Sequence, residues 1–389
     1  MKIGLVSPYD YSYPGGVTVH INNLSKELIN LGHTVKIIAP CSDVQRNPLP
    51  NSVIPMGNPI PIPTGGSIAR ISISFWLMRK VQAVLETEKF DILHIHEPLV
   101  PFLPLACLHR ASCPIVGTFH AYDNNSQKYF AQSGILQNSF SKLDRRIAVS
   151  VPARNHIMKN FPGNYDIIPN GIDYDMFRSS RTPLAAFSDD KTNILFVGRM
   201  EKRKGLHYLV SAFSMLKWDR SNVRLIIVGP GTLDKESYHL IAEKNLHDIE
   251  LIGEVSYEDL PNYYQSADIF CSPATGQESF GIVLLEAMAS GKPIVASNIP
   301  GYASVITSEK EGLLVNPKDA GALAEALRNL TDNPNLRFKM GKEGLRTSHT
   351  YDWKNVASQI ATVYLETINA HTHRRIVQNV TDNTIPLPL

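Results

Sequence analysis

Short runs rich in β-branched and apolar residues alternate with helical patterns along the whole chain. The runs cover residues 2–7, 34–39, 91–96, 114–119 and 146–150, and then 193–198, 223–229, 268–272 and 293–297. A strand followed by a helix and another strand favours parallel pairing, because the helix carries the chain back across the sheet. The alternation therefore predicts an α/β fold built on parallel sheets.

The segment between the first two runs shows the pattern most clearly. Apolar residues recur there at spacings of four and three from Val17 to Leu31, between Gly16 and Gly32. This spacing is typical of an amphipathic helix, and a glycine just after the last turn is a common helix end. Residues 2–39 are therefore expected to form one strand–helix–strand unit.

The strand series occurs twice, which predicts two doubly wound, Rossmann-like domains. With 389 residues the chain exceeds what a single core usually organises. A polar stretch around residues 178–190 suits a linker, so we place an N-terminal domain at residues 1–180 and a C-terminal domain at 181–370. Two such domains would face a central cleft at the carboxyl ends of their strands, where open α/β sheets bind ligands.

The end of the chain carries one more helical pattern. It runs from Trp353 to Ala370, and we expect this helix to return to the body of the protein. Residues 371–389 are polar and are expected to form a partly ordered tail.

Composition excludes several functional classes. The 38 Lys and Arg residues nearly balance the 36 Asp and Glu residues, so the chain has no general attraction for nucleic acid. Its four cysteines form no Cys-x-x-Cys pair, which argues against a zinc knuckle or a disulfide framework and favours a reducing compartment. The longest apolar stretch, residues 98–108, is far shorter than the ~20 residues of a membrane-spanning helix. We expect a cytoplasmic protein that is at most peripheral on the cytoplasmic membrane face.

A glycine pair follows the first predicted strand, in the segment Tyr13-Pro14-Gly15-Gly16-Val17. Glycines at the start of a helix let backbone N–H groups approach an anion, and the helix dipole favours a phosphate there. A turn that simply needs glycine explains the same residues equally well. A Gly-x-Gly-x-x-Gly fingerprint does not follow this strand, which argues against a nicotinamide-dependent dehydrogenase.

Four cations follow the first strand of the second series, in the segment Arg199-Met200-Glu201-Lys202-Arg203-Lys204. A diphosphate needs such charge, because Arg can bind its oxygens bidentately and Lys acts as a point charge. We expect Arg199 and Lys204 to contact a ligand, and Lys202 and Arg203 to belong to a solvated turn.

Two glutamates stand at the start of and within the very apolar segment 276–291. Glu278 precedes the predicted helix and Glu286 lies eight residues on, or ~12 Å along a helix axis, so the two cannot bind one atom. They can hold two parts of an extended ligand, such as a hexose and a ribose, with the free N–H groups near Phe280 and Gly281 facing sugar hydroxyls. Compensation of the helix dipole is the alternative for Glu278, and it explains Glu286 less well.

With these segments together, the chain resembles the family-4 retaining glycosyltransferases of the GT-B fold over nearly its whole length. The resemblance implies a nucleotide-sugar donor, with Glu278 on the donor sugar and Glu286 on the ribose. It also implies that Arg199 and Lys204 neutralise the donor diphosphate, to which Gly16 lends a backbone N–H. The implied donor-binding residues are Gly16, Arg199, Lys204, Glu278, Ser279, Phe280, Gly281, Ile282 and Glu286.

A closer resemblance is to the bacterial phosphatidylinositol mannosyltransferases. It is carried by Pro8-Tyr9, the glycine pair, and residues 61–70, 94–98 and 119–120. It implies transfer of mannose from GDP-mannose to the inositol ring of a lipid, with His120 beside the reacting sugar and no metal or other cofactor. The acceptor would be bound by Tyr9, Gly15, Ser67 and Arg70.

The chain departs from that pattern at two places, Thr64-Gly65 and residues 121–124. Another glycolipid, a soluble polyol acceptor or a UDP-sugar donor therefore remains an alternative. Alternatives of another class are a nucleotide-sugar epimerase, because fold alone does not fix chemistry, and a non-catalytic nucleotide-sugar sensor. The sequence indicates no oligomeric state.

Three further patterns suggest sites for which a plain structural role is the preferred interpretation. His94 and His96 alternate on a strand beside Glu97, which is a weak metal motif without a third ligand. Asp173-Tyr174-Asp175 matches the Asp-x-Asp of metal-dependent transferases by chance. Residues 70–80 combine cations with large apolar groups, as an interfacial helix on an anionic membrane would, and as a core-facing helix also does.

Overall fold

The computed structural model of the protein describes residues 1–13, 15–42, 49–64, 67–74, 76–121, 133–178 and 182–382. Within them the chain divides into two compact units. The first unit holds the residues up to Ala121, residues 133–169 and the chain from Lys354 onward, and the second unit holds residues 170–353.

The first unit is built on a parallel seven-stranded sheet in the order β3-β2-β1-β6-β7-β8-β9. Its strands are β1 Lys2–Val6, β2 Thr34–Ala39, β3 Val53–Pro55, β6 Ile92–His96, β7 Ile115–Phe119, β8 Arg145–Ala148 and β9 Asp166–Ile167, beside a separate antiparallel hairpin of β4 Pro59–Thr64 and β5 Ser67–Ser72. Strand β1 is central, and its apolar side chains are fully buried on both faces of the sheet. The strand order reverses between β1 and β6, so that a crevice is expected at their carboxyl ends.

Helices cover this sheet. They are α1 Gly16–Asn30, α2 Leu77–Glu88, α3 Leu103–Arg110, α4 Ser133–Phe140, α5 Val151–Met158 and the C-terminal helix, which is named below. The expected first helix is confirmed: it begins at Gly16 and is followed by Gly32 at φ +84°, a left-handed conformation that a side chain would strain.

The prediction of one helix over residues 70–80 is wrong. Strand β5 continues to Ser72, and α2 begins only at Leu77. Leu77 and Val81 point into the core of the first unit, whereas Trp76 is 71% exposed. Residues 67–72 instead pair antiparallel with β4, with Arg70 opposite Pro61.

The second unit contains a parallel six-stranded sheet in the order β12-β11-β10-β13-β14-β15. Its strands are β10 Thr192–Val197, β11 Val223–Val228, β12 Ile249–Gly253, β13 Ile269–Ser272, β14 Ile294–Ser297 and β15 Gly312–Val315. Its helices are α6 Tyr174–Arg178, α7 Leu206–Asp219, α8 Lys235–Glu243, α9 Leu260–Ser266, α10 Ile282–Ala289, α11 Pro300–Ala303, α12 Ala320–Asp332 and α13 Pro334–His349, with short 3₁₀ turns at Ala185–Phe187 and Lys202–Lys204. Here the strand order reverses between β10 and β13.

The division between the units differs from the expected boundary at residues 180/181. The chain passes into the second unit at Asn170, because Ile172 forms a bridge with Asp352 and accepts a hydrogen bond from the Trp353 N–H at 3.1 Å. These contacts tie residues 170–178 to the end of the second unit before the polar stretch begins.

The C-terminal helix α14, Trp353–Asp382, returns to the first unit from Lys354 onward. There the Tyr364 hydroxyl lies 2.6 Å from His94 Nδ1, and Arg374 forms an ion pair with Asp144 at 2.7 Å. The helix thus continues past Ala370 through part of the expected tail, of which residues 383–389 lie outside the described part. None of the helices in the described ranges is long and apolar enough to cross a membrane.

Candidate active site

In the second unit, the loops that follow β10 and β13 meet where the strand order reverses. The Thr275 N–H donates to the Arg203 carbonyl at 2.8 Å and joins the two loops. Gly205, at φ +73°, ends the basic turn, and a Cβ there would stand 1.9 Å from the Pro273 carbonyl oxygen. Only glycine permits this approach, which fixes the basic turn against the loop that leads to Glu278.

Three cations and two carboxylates form a chain of ion pairs at this point. Arg199 Nη2 lies 3.2 Å from Glu201 Oε1, and Arg203 Nε lies 2.9 Å from Glu201 Oε2. Arg203 Nη1 and Lys204 Nζ both contact Glu278 Oε1, at 2.6 and 2.7 Å. We call these five residues the cation cluster.

The cation cluster is placed to exchange partners. Its cations outnumber its carboxylates by one, and Arg199 is 48% exposed while Lys204 is 15% exposed. The Arg199–Glu201 pair has access to water and is weak, and one positive charge of the cluster has no carboxylate to balance it, so a ligand with negative charge is attracted there. A diphosphate is such a ligand, because guanidinium groups bind its oxygens bidentately.

The prediction of a solvated position for Arg203 is wrong. Arg203 was expected in a solvated turn with Lys202, but its side chain is 19% exposed and bonded to both Glu201 and Glu278. Only Lys202 of that pair is exposed. The signal for this arrangement is the acidic Glu201 among four cations, since a carboxylate there must attract a neighbouring cation.

The loop before α10 holds the other expected donor residues. Gly281, at φ +101°, precedes the helix, and a Cβ there would lie 2.7 Å from the Tyr302 ring. The Phe280 side chain is 3% exposed and belongs to the core, so only its backbone is available to a ligand. Ser279 and Ile282 flank these two residues, and the first N–H groups of α10 have no partner within the helix.

Glu286 lies deeper in the same helix, 5% exposed. The Tyr264 hydroxyl donates to Glu286 Oε2 at 2.7 Å. Burial raises the pKa of the Glu286 carboxyl to about 7, although the Tyr264 hydrogen bond and the charge of Lys204 oppose the rise. Glu286 is therefore poised between its neutral and charged forms, and Tyr264, which sequence analysis missed, holds it.

The first unit holds the remaining expected residues. His94 is fully buried, and its two nitrogens lie 2.6 Å from the Tyr364 hydroxyl and 2.6 Å from Thr118 Oγ1. This histidine ties the sheet to α14, which agrees with the structural role expected for it.

His20, His96 and His120 form a second group, which we call the histidine cluster. A hydrogen bond of 2.9 Å joins His96 Nδ1 and His120 Nε2, with rings 5.2 Å apart and nearly parallel. The His20 ring meets the His120 ring edge-on at 4.8 Å. Burial, followed by the neighbouring histidines, holds the pKa values of His96 and His120 well below the ordinary range, so both imidazoles are neutral at neutral pH.

The acceptor residues named by the resemblance lie in loops and edges of the first unit. The Asp10 N–H donates to the Arg70 carbonyl at 2.9 Å, and the Arg70 guanidinium stacks 3.6 Å from the centre of the Tyr13 ring. Tyr9 is half-buried, and burial together with the charge of Glu97 raises the pKa of its hydroxyl. The Ser67 backbone pairs with Thr64, and the Ser67 side chain lies outside the described part.

The glycine pair starts α1 without a steric need for glycine. Among the described residues, a Cβ placed on Gly15 or Gly16 meets no atom within 4 Å, and Gly15 has an extended backbone. Packing within the described residues therefore does not explain the pair.

Two groups in the described part of the chain have the composition of metal sites: the histidine cluster, and His207 with Asp234 and Glu236. Nitrogens that bind one tetrahedral zinc ion stand about 3.3 Å apart, so the 2.9 Å contact of His96 and His120 is a hydrogen bond. Asp234 accepts from the Ser237 N–H at 2.7 Å and caps α8.

The Asp-x-Asp match has a local explanation. Asp173 Oδ1 accepts from the Met176 N–H at 3.1 Å and caps α6, while Asp175 is exposed in the first turn of that helix. Helix capping accounts for an Asp at this position.

Comparisons with known proteins agree with this geometry. Two family models match the chain, Glycosyltransferase Family 4 over residues 14–176 and Glycosyl transferases group 1 over residues 183–347. The phosphatidyl-myo-inositol mannosyltransferase of Mycobacterium leprae is 38% identical over 94% of this chain and 96% of the relative. The protein of that name from Mycolicibacterium smegmatis is 36% identical over 95% of this chain and 94% of the relative. A solved glycosyltransferase from Rickettsia africae shares the fold at a TM-score of 0.77 and 22% identity, over 94% of this chain and 98% of that chain.

Two parallel α/β units, with a cation cluster at the point where one strand order reverses, define a glycosyltransferase of the GT-B fold. The chain belongs to the glycosyltransferase family that includes the phosphatidyl-myo-inositol mannosyltransferases, to which it is 36–38% identical over almost its full length. The expected GT-B fold class, the glycosyltransferase family and glycosyltransferase activity are thereby confirmed.

Proposed function

We propose that the protein transfers mannose from a nucleotide sugar, with GDP-mannose as the first choice, to the inositol ring of a phosphatidylinositol-type lipid. The observation that carries the transfer chemistry is the cation cluster, in which Lys204 and Arg203 both rest on Glu278. The choice of sugar and acceptor rests on the names of relatives that are 36–38% identical over 94–96% of their length.

In this proposal the donor diphosphate takes Arg199 and Lys204 from their carboxylate partners. Lys204 leaves Glu278 Oε1, from which it is separated by 2.7 Å, and Glu278 is then free to accept hydrogen bonds from the hydroxyls of the donor sugar. Backbone N–H groups from Ser279 to Ile282 face the same sugar, and Glu286 accepts from the ribose.

The reaction breaks the bond between the anomeric carbon and the diphosphate oxygen and forms a bond from that carbon to the acceptor oxygen. Negative charge grows on the diphosphate as it leaves, so Arg199, Lys204 and the Gly16 N–H bind the transition state more tightly than the ground state. The acceptor hydroxyl proton passes to the departing phosphate, and the configuration is retained. These cations take the place of a metal ion.

Residues of the first unit contact the reacting sugar and the acceptor. The neutral His120 ring contacts the donor sugar, while Tyr9, Gly15, Ser67 and Arg70 bind the acceptor headgroup. Trp76, 71% exposed, lies with Arg79 at the start of α2 and supports peripheral contact with an anionic bilayer that holds the lipid.

A second acceptor class is favoured by one observation. The chain departs from the pattern of the phosphatidylinositol mannosyltransferases at Thr64-Gly65 and directly after His120. Another glycolipid or a soluble polyol is therefore the alternative acceptor, with the same transfer chemistry.

The test incubates the purified protein with GDP-mannose, GDP-glucose, UDP-glucose and UDP-N-acetylglucosamine, each with phosphatidylinositol, phosphatidylglycerol or free inositol. Product masses identify the sugar and the acceptor, and NMR of the anomeric proton gives the configuration. We expect an α-mannoside of phosphatidylinositol from GDP-mannose. Sugar transfer would be contradicted if no combination of donor and acceptor gave a product, or if the protein changed the donor sugar in the absence of an acceptor. A product on free inositol alone would contradict a lipid acceptor.

Two variants distinguish the loss of a cation of the cluster from the loss of any positive charge in the same turn. Lys204→Ala is expected to abolish most transfer, whereas Lys202→Ala removes the same charge from an exposed position in the same turn and is expected to leave transfer near that of the parent. Equal activity of the two variants would remove the cation cluster from the proposal.

A further inference from the structure

Glu97 is a buried carboxylate for which the transfer chemistry has no role. It follows the last residue of β6, has a positive φ of +49° and is 4% exposed. A carboxylate buried from water needs hydrogen-bond donors. It finds them in the chain at His120, because Glu97 Oε1 accepts from the backbone N–H of His120 at 2.6 Å and of Ala121 at 2.7 Å.

The sheet explains why a side chain is needed at this place. Strands β6 and β7 pair in register up to His96 and Thr118, and the Glu97 N–H donates to the Thr118 carbonyl at 2.8 Å. Beyond this point β6 turns away, so its backbone no longer offers carbonyl groups to the end of β7. The Glu97 carboxylate replaces them and holds the backbone of the next two residues.

The His120 ring is held by the neighbouring residue of β6. His96 is fully buried, and its Nδ1 lies 2.9 Å from His120 Nε2. Glu97 thus fixes the backbone that carries His120 while His96 fixes its ring, and the two act from adjacent positions of the sequence His94-Ile95-His96-Glu97-Pro98.

We propose that Glu97 is a positioning residue that sets the place of His120 for sugar transfer by holding the His120–Ala121 backbone. The inference rests on the proposed function, in which His120 contacts the donor sugar. Both hydrogen bonds end on a single oxygen atom, so the distance that the side chain reaches sets the place of the backbone.

Three substitutions distinguish reach from charge. Glu97→Gln keeps an acceptor oxygen at the same reach and loses the charge. Glu97→Asp keeps the charge and shortens the side chain by one methylene, and Glu97→Ala removes both. We expect the Glu97→Gln variant to retain transfer within about threefold of the parent. The Glu97→Asp and Glu97→Ala variants are expected to have a kcat lower by about tenfold or more, with little change in donor KM.

Glu311 provides the matched control. It is a buried carboxylate of the second unit, 1% exposed, that accepts from the Thr307 backbone N–H at 2.9 Å and from the Thr347 hydroxyl at 2.6 Å, two residues outside the cation cluster. Glu311→Ala is expected to lower the melting temperature and to leave kcat of the folded protein unchanged. An equal loss of kcat in Glu311→Ala and Glu97→Ala would overturn the proposal.

A spectroscopic measurement tests the positioning role of Glu97 independently of sugar transfer. Imidazole ¹⁵N NMR of histidine-labelled protein reports the His120 ring, assigned with a His120→Gln variant, and needs no activity. We expect Glu97→Asp to shift the His120 signals and Glu97→Gln to leave them near those of the parent. Unshifted His120 signals in Glu97→Asp, or high activity in Asp with low activity in Gln, would overturn the positioning role, whereas shifted signals without any transfer by the parent would overturn only the proposed function.

Discussion

The two clusters hold their functional side chains by opposite physical means. In the cation cluster of the second unit, charged groups pair with one another at a partly exposed surface, and each cation has a carboxylate that a ligand can replace. Around His120 in the first unit, buried neutral rings and backbone hydrogen bonds to Glu97 leave little freedom. In the proposed function, the cations of the second unit change partners to bind the donor, whereas the first unit keeps His120 in a fixed place.

The largest effect is expected from substitutions in the cation cluster. Lys204→Ala removes a cation that stabilises the leaving diphosphate, and Glu278→Ala removes the carboxylate that accepts from the donor-sugar hydroxyls once Lys204 has left it. We expect transfer to fall by about 10²–10³-fold in each variant. Initial rates at saturating donor, with circular dichroism to show an intact fold, measure the loss. Turnover in either variant within a few-fold of the parent would refute the role of the pair.

A smaller effect tests how the cations are held. Glu201 bridges Arg199 and Arg203 at 3.2 and 2.9 Å, so Glu201→Ala takes the carboxylate partner from Arg199 and leaves Arg203 held by Glu278. We expect the donor KM to rise by about tenfold, since ordering the side chains is then done by the ligand. Glu201→Gln keeps the acceptor oxygen and is the control. A donor KM unchanged in Glu201→Ala would show that the bridge has no part in binding.

The third prediction concerns a group of the second unit that is as buried as Glu97. Glu286 has its pKa raised from 4.5 to about 7, so the folded protein holds this proton more tightly than the unfolded chain. The protonated Glu286 carboxyl adds at most roughly 3 kcal/mol to the free energy of unfolding. This contribution is complete below pH 4.5 and is lost as the pH rises through 7.

Glu286→Gln removes that dependence. Chemical denaturation of parent and variant between pH 5 and 8 measures it, and the stability of the parent relative to the variant should fall as the pH rises. The histidines with lowered pKa values act in both proteins and cancel. A difference that is constant with pH would mean that Glu286 is already charged at pH 5.

The smallest effect concerns a residue outside both regions. Asp173→Ala loses the cap of α6 and is expected to lower the free energy of unfolding by about 1 kcal/mol without changing transfer. Denaturation and rate measurements on the same preparation check this. A large loss of transfer that added Mn²⁺ restores would instead give Asp-x-Asp a metal role.

The sequence predicted the parts of the fold that repeat. The apolar spacing from Val17 to Leu31 locates α1, and the buried runs locate the inner strands, because burial on both faces leaves a continuous apolar signal. The edge strands β3, β9 and β15 have two to four residues each, too few for a pattern to stand out.

The turn from β5 into α2 shows a second limit. Residues 70–80 carry apolar groups at spacings that fit both a strand and a helix, and only the pairing of Arg70 with Pro61 decides for a strand. Such pairing depends on residues far from the segment's own pattern.

The candidate site divides in the same way. Arg199, Lys204, Glu278 and Glu286 could be predicted because charges next to strand ends or within an apolar helix are unusual. Tyr264 and Arg203 could not, since their roles come from contacts with residues 22 and 75 positions away. The sequence shows that Glu97 stands beside two histidines. Its hydrogen bonds to the His120 and Ala121 backbone could not be predicted, because they depend on how β6 and β7 pair in the sheet.

A crystal structure with a non-hydrolysable analogue of GDP-mannose would show where the diphosphate binds. We expect it to contact Arg199 and Lys204, with Lys204 moved away from Glu278 and both hydrogen bonds from Glu97 to the His120–Ala121 backbone intact. A diphosphate bound elsewhere, with Lys204 still on Glu278, would contradict this expectation.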